Sequence, residues 1–314
     1  MTWVRRVLEA FGTMWLLVTL CFLMLSWAPG DPAGFDDPRL TPEAKAAQRR
    51  ALGLEGSISQ RYTDYLGHVV RGDLGLSVQH ARPVSQLIVA ALPASLMLGG
   101  GAVVIAFTLG LALATLAVRP KHSVVRWWVT RGLPALDSLP GFWLGLMAIL
   151  VFSGWLGWLP SGGIDRPGGG DLLDRLQHWL LPALCLAIPG SAMIARHHLA
   201  ALQRELQAPA ARAAAALGIS PLRILWRATR AALHPAITLF GLSLPTLVGG
   251  TAVIEHLFSW PGLGRLQVTA LLSRDLPLAL GALLLLATAV IAGGVISDGL
   301  SRWIDPRWRH VAPE

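Results

Sequence analysis

The chain has 314 residues, 54% apolar and only 14% charged, with a mean hydropathy of +0.55. Soluble globular domains carry about a quarter charged residues, so this balance excludes one and indicates an integral membrane protein. The net charge of +8 comes almost wholly from arginine and is not accompanied by any nucleic-acid-binding motif, which assigns it to loops on the cytoplasmic side of a membrane and argues against a nucleic-acid partner. Cys21 and Cys185 both lie in apolar runs, which rules out a disulfide framework and argues against thiolate metal ligation. Lysine is scarce. Lys45 precedes Ala46 and Lys121 precedes His122, so neither sits in the Gly-Lys-Ser/Thr context of a phosphate-binding loop.

A membrane-crossing helix needs about twenty mostly apolar residues. Six segments qualify: 7–28, 93–118, 133–156, 178–195, 233–255 and 277–300. The first follows Arg5-Arg6, lacks a small-x-small cleavage site and ends at Trp27, so it reads as an uncleaved signal anchor. Residues 29–92 form an external segment of mixed charge. There Arg49-Arg50 with Leu52 and Leu54, and the pair Tyr62 and Tyr65, allow an amphipathic helix packed on the outer leaflet or on the bundle. Fifteen lysines and arginines flank the spans on the side of the termini, from Arg5 and Arg6 to Arg307 and Arg309. The short loops opposite hold four: Arg166, Arg175, Arg265 and Arg274. Both termini and the 196–232 loop therefore face the cytoplasm.

Within that loop, residues 210–235 write a helix, a break and a second helix. Ala213 to Leu217 favour helix, Gly218 stands where a helix end wants a residue free to take positive φ, and Ser220-Pro221 supply an N-cap and a first-turn proline. On the second helix Leu222, Leu225 and Trp226 share one face, and Arg223, Arg227 and Arg230 another. Such a helix either docks on a partner protein or lies on anionic lipid headgroups.

Intramembrane polar residues are few. Asp137 and Ser138, bracketed by Pro134 and Pro140, either line a pathway or cap a broken helix. Glu255 either serves an external gate or binding-protein contact or is solvated at the interface. Asp298, near the inner end of the sixth segment, either pairs with a cytoplasmic arginine or touches substrate. The histidines, including the adjacent pair His197-His198, show no metal-ligand spacing.

Short motifs along nearly the whole chain resemble one family, the inner-membrane permease subunits of bacterial ABC importers for dipeptides, oligopeptides and nickel. They run from Pro29-Gly30-Asp31-Pro32, Leu52-Gly53-Leu54-Glu55 and Gly72-Asp73-Leu74-Gly75-Leu76-Ser77 through Ser138-Leu139-Pro140-Gly141-Phe142-Trp143 and Trp158-Leu159-Pro160. Glu255 with Phe258-Ser259-Trp260-Pro261-Gly262-Leu263-Gly264, Arg274-Asp275 with Pro277, and Asp305-Pro306-Arg307 complete the series. The resemblance implies an all-α fold of six transmembrane helices, divided into a signal-anchor span (1–28), an external segment (29–92), a five-span core (93–305) and a cytoplasmic tail (306–314).

It further implies a non-catalytic subunit of a bacterial inner-membrane transporter. This subunit would pair with a second homologous permease, an external substrate-binding protein and two ABC ATPase subunits, which would carry the ATP and Mg. No cofactor is implied on this chain. Arg212-Ala213-Ala214 and Gly218 occupy the places of the family's ATPase-coupling motif, followed by Ser220, Pro221, Leu222, Arg223, Leu225, Trp226 and Arg227. Ala228, Arg230 and Ala231 depart from its closing Ile, Leu and Pro. Asp137, Ser138, Pro140, Phe142, Glu255, Phe258 and Trp260 are the corresponding pathway or gate candidates. An ion-driven secondary transporter is the alternative; it would carry intramembrane carboxylates or an internal repeat, and neither is evident. A membrane enzyme would need a Ser-Lys, His-Glu-x-x-His or paired-carboxylate site, and no such pattern is written here.

Overall fold

The computed structural model describes residues 3–27, 41, 43, 56–119, 123–243 and 251–304. The motifs at 29–32, 52–55 and 305–307 and the pairs Arg49-Arg50 and Lys121-His122 lie outside the described residues, as do the side chain of Asp298 and the tail 306–314. All regular elements among the described residues are helical, with one isolated bridge between Leu76 and Pro83.

Two long helices form the centre. Helix α3 spans Val84–Ala117 and helix α7 spans Leu172–Gln207; they are labelled with α1 (Trp3–Trp27) and α2 (Ile58–Val70) before them and α4 (Ser123–Trp127), α5 (Leu133–Asp137) and α6 (Gly141–Ala148) between. The buried face of α3 is a stripe of mostly small residues at roughly four-residue spacing: Ala91, Ser95, Gly99, Ala102, Ala106, Gly110, Ala114 and Ala117. Small side chains let two backbones approach closely where lipid supplies no hydrophobic drive. Ala102 and Ala106 meet Ala187 and Ile194 of α7, and further along Ala114 and Ala117 meet Ala195 and Leu199.

Both helices outrun their expected limits. Pro93 marks the expected start of the second span, yet α3 begins at Val84, because Val84, Ile88 and Ala91 are buried against Leu263, Leu278 and Ala279. Packing there outweighs the proline, which membrane helices tolerate. Helix α7 is 36 residues long, about 54 Å at the standard rise and well beyond a hydrocarbon core of about 30 Å. It leads the chain to the 210–235 segment singled out in the sequence.

The expected third span is broken. Helix α5 stops at Asp137, Ser138 to Pro140 form a turn, and α6 starts at Gly141 and passes into a π-helical stretch, Ile149–Trp155. Ser138 Oγ donates to the Pro134 carbonyl at 3.0 Å, satisfying one group at the end of the preceding helix.

Helix α2 opens with a capping box between Ser57 and Gln60. Of the two surfaces open to its tyrosines, the bundle receives them: Tyr62 and Tyr65 lie at ring-centroid distances of 5.3 and 6.0 Å from Phe22 of α1, beside Leu276 and Leu280. Burial pushes the Tyr65 hydroxyl up to about 12.

After α7 come α8 (Pro209–Ala216), α9 (Pro221–Ser243), α10 (Ala252–Leu257), α11 (Leu263–Leu272) and α12 (Leu276–Ile304). Among the described residues three helical stretches are long and apolar enough to cross a membrane, Val84–Ala117, Leu172–Gln207 and Leu276–Val295. Phe11–Met24, Gly141–Trp155 and Leu263–Leu272 are shorter apolar helices. The expected fifth span, 233–255, is helical to Ser243 and again from Ala252; residues 244–250 lie outside the described residues.

Candidate functional site

Two regions collect the residues singled out in the sequence. The first is the hairpin of α10 and α11. Glu255 is completely buried, so it is not the solvated interfacial residue that one reading of the sequence allowed. Its Oε1 accepts from Ser95 Oγ of α3 and from Thr251 Oγ1, both at 2.7 Å; its Oε2 accepts from the backbone N–H of Gly264 at 2.7 Å and of Arg265 at 3.1 Å. Ser95 Oγ in turn accepts from Leu263 N–H at 2.7 Å. The first N–H groups of α11, which a helix leaves without internal partners, are thus taken up by Glu255 and Ser95, and the carboxylate sits at the favourable end of the helix dipole.

The surrounding turn is equally committed. Trp260 is fully buried with Leu98 and Ala183, and its indole N–H donates to the Ala94 carbonyl at 2.9 Å. Phe258 packs with Leu181, Cys185 and Ile254, and its carbonyl accepts from Gly163 N–H at 2.8 Å. Arg265 Nη1 donates to the Ser259 carbonyl at 2.6 Å. Glu255, Phe258 and Trp260 come together, as their shared motif suggests, in a closed clamp joining α3, α7, α10 and α11. None of the three lines an open channel in this conformation. Pro140 and Phe142, by contrast, are exposed at the break between α5 and α6, next to Asp137, whose side chain lies outside what is described.

A second latch went unnoticed as a site in the sequence. Asp275 is buried and accepts from Ser77 Oγ at 2.5 Å and Gln79 N–H at 3.1 Å, while its other oxygen accepts from Leu278 N–H at 3.2 Å. It caps α12 and fastens the turn after α2 to it. Asp followed by Pro277 is a helix-start signal that could have located the cap. Ser95, one hydroxyl in an apolar run, offers no comparable signal.

The loop before α7 is held by Asp174, which accepts from Arg166 N–H at 2.9 Å; Arg166 Nε also lies 2.9 Å from its other oxygen, close enough for an ion pair but not aligned as a hydrogen bond. His198 is buried where α7 crosses α9, with Nδ1 3.0 Å from the Ala232 carbonyl.

The second region is the arm formed by α8 and the start of α9. Arg212 reaches back to the Gln207 carbonyl with Nε at 3.1 Å and Nη2 at 3.0 Å, tying α8 to the end of α7. Behind Ala213 and Ala214, α8 ends in a Schellman motif: Ile219 N–H donates to the Ala214 carbonyl, Gly218 N–H to that of Ala215, and Gly218 takes φ +73°. Pro221 then opens α9, and the Ser220 carbonyl accepts from Arg223 and Ile224.

The apolar trio divides. Leu225 turns toward Ala201, Leu202, Ala228 and Ala232, whereas Leu222 and Trp226 remain 68% and 63% exposed, and Leu217 at the joint is 82% exposed. Arg223, Arg227 and Arg230 are also exposed. The second helix of the arm and the first part of the expected fifth span are one helix, so displacement of the arm is displacement of α9.

Residues 87–310 match the model of the family described as binding-protein-dependent transport system inner membrane component, and residues 2–99 match the model for the N-terminal part of such membrane components. The chain belongs to this family. It is 33% identical over 308 residues to the oligopeptide transport system permease protein AppB of Bacillus subtilis, covering 97% of this chain and 98% of that protein. It is 34% identical over 328 residues to the di/tripeptide transport system permease protein DppB of Pseudomonas aeruginosa, covering 98% of each. The crystal structure of an amino acid ABC transporter with histidines superposes with a TM-score of 0.51 at 16% identity, over 71% of this chain and 94% of that one, which shows a shared fold. The protein is therefore an all-helical inner-membrane permease of an ABC importer.

Proposed function

We propose that this permease is one transmembrane half of an ATP-driven importer of di- or oligopeptides. It forms the pathway with a second, homologous permease, receives cargo from an external binding protein, and transmits the action of two ATPase subunits through residues 210–235. Six spans, with both termini cytoplasmic, give the topology. The names of its relatives support peptides over the nickel chelates that the sequence motifs also allowed. ATP hydrolysis belongs to the partners, and this chain contributes pathway and coupling.

The observation that carries the reading is the arm. Its backbone is capped from within, yet Leu217, Leu222 and Trp226 stand exposed beside arginines at the end of a rigid helix. Exposed apolar anchors flanked by cations fit a partner surface. A push on α9 passes through His198 to α7 and along α7 to Glu255's clamp. Hinging of that clamp, with the exposed break at Ser138 to Phe142, gives the outer gate.

Gentle purification of tagged protein from native membranes, with mass-spectrometric identification of what co-purifies, tests the assembly. Recovery of a second permease and an ATPase carrying a phosphate-binding loop is expected. Reproducible recovery of the chain alone, still active in transport, defeats the proposal in favour of an ion-driven transporter.

A further inference from the structure

Between the end of α3 and the start of α9 lies a cavity of about 480 Å³, inside the range of about 300–1,000 Å³ typical of small-molecule sites. Its walls are two helix faces. Leu111, Ala112, Thr115, Leu116 and Arg119 follow one face at the end of α3, and Leu222, Leu225, Trp226 and Thr229 follow one face of α9. The helices touch where Val118 and Leu225 join one hydrophobic cluster, and the gap opens beside that contact. Thr115 spends its hydroxyl on the Leu111 carbonyl at 2.8 Å, which leaves that wall apolar in effect. Among the described residues Arg119 is the one ionisable residue lining the cavity, and it directly follows the expected second span, 93–118. Arg223, Arg227 and Arg230 add positive charge on the same stretch of α9.

We propose that this groove binds an anionic phospholipid, with an acyl chain between α3 and α9 and its phosphate at Arg119. A mostly apolar groove with Arg119 among its lining residues matches a molecule with an apolar chain and an anionic head, and a guanidinium pairs well with phosphate oxygens. The lipid bridges the docking arm to the central helix. One wall, with Leu222 and Trp226, is shared with the arm proposed to dock the ATPase, whereas Ala112 and Arg119 lie outside the arm and allow the groove to be tested separately.

The test uses the full chain reconstituted in vesicles of equal phosphatidylglycerol and phosphatidylcholine, extracted gently and ionised intact to identify the lipids it retains. Phosphatidylglycerol is expected to be enriched. Arg119→Gln lowers that enrichment about fivefold, the weight of one basic residue near an anionic membrane surface. Arg119→Lys keeps it, and Ala112→Trp, on an exposed face of α3, lowers the number of retained lipids. An identical lipid ratio for the native protein and Arg119→Gln overturns the proposal. So does an Ala112→Trp variant that keeps its lipid but loses the ATPase or the second permease, which assigns the groove to protein contact.

Discussion

Around Glu255 the hydrogen bonds come from far away in the chain: Ser95 is 160 residues distant, and Trp260 reaches Ala94 across 166. Around Gly218 they come from within one or two turns, as Ile219 bonds Ala214 and Arg212 bonds Gln207. The clamp is closed on itself, with its large side chains buried and its carboxylate fully used. The arm is locally complete in its backbone and globally unfinished in its side chains. Substitution in the clamp is therefore expected to be felt by the isolated subunit, and substitution in the arm chiefly by the proposed assembly.

Glu255→Ala gives the largest expected loss of stability. It strands the donors of Ser95, Thr251, Gly264 and Arg265 in a buried site, at a cost of about 3–5 kcal/mol. Thermal unfolding of the purified subunit in detergent reads this, and an unchanged midpoint breaks the comparison at its first point. Where Glu255→Gln still folds, altered uptake with intact ATPase association is the expected outcome, and an unaffected uptake rate removes Glu255 from the gate.

Gly264→Ala comes next. A Cβ there lands on the Ala252 backbone, which has nowhere to retreat, so about 1–3 kcal/mol of overpacking is expected in the same assay.

Substitutions in the arm reverse the pattern. Gly218→Ala costs about 1 kcal/mol for an L side chain at positive φ. Gly218→Pro, or Leu222→Asp at an already exposed position, is expected to leave membrane insertion intact while abolishing transport and loosening the ATPase. Normal uptake and full ATPase recovery in both variants would merge the two regions into one structural class.

The smallest effect belongs to the turn after α2. The Gly75 N–H donated to Asp73 at 2.9 Å, helped by His68, holds the Asp73 carboxyl below its ordinary range. A pKa lowered by folding contributes stability that is present above the ordinary value of about 4 and is lost as pH falls through the lowered one. Exposure limits this to about 0.5 kcal/mol. Amide exchange at Gly75 should therefore be slower than in Asp73→Asn at neutral pH, with the difference vanishing in acid; a difference independent of pH would refute it.

The arm was almost wholly legible in the sequence, because glycine at a helix end, Ser-Pro at a helix start and spacing on one helix face are local codes. Two details escaped: Leu225 parts from Leu222 and Trp226 and turns inward, and α9 runs unbroken into the expected fifth span, since a stretch of helical residues carries no mark of where solvent ends and membrane begins. The clamp was legible only as a motif. Glu255, Phe258 and Trp260 stood out, but their burial depended on Ser95 and Ala94, on another helix. Likewise the early start of α3 was hidden by Pro93 and decided by Leu263 and Leu278.

Composition and hydropathy by themselves determined that this is a helical membrane protein, and charge asymmetry gave its expected orientation, because lipid and the positive-inside bias act on segments one at a time. The caps and joint of the arm were also written there, since each bond spans only a few residues. Tertiary structure alone decided that Glu255 is a buried latch, that Leu225 turns inward while Leu222 and Trp226 stay out, and that faces of α3 and α9 line a common groove. Each of these depends on which distant backbone lies opposite a side chain, and the sequence of a single helix does not contain that distance.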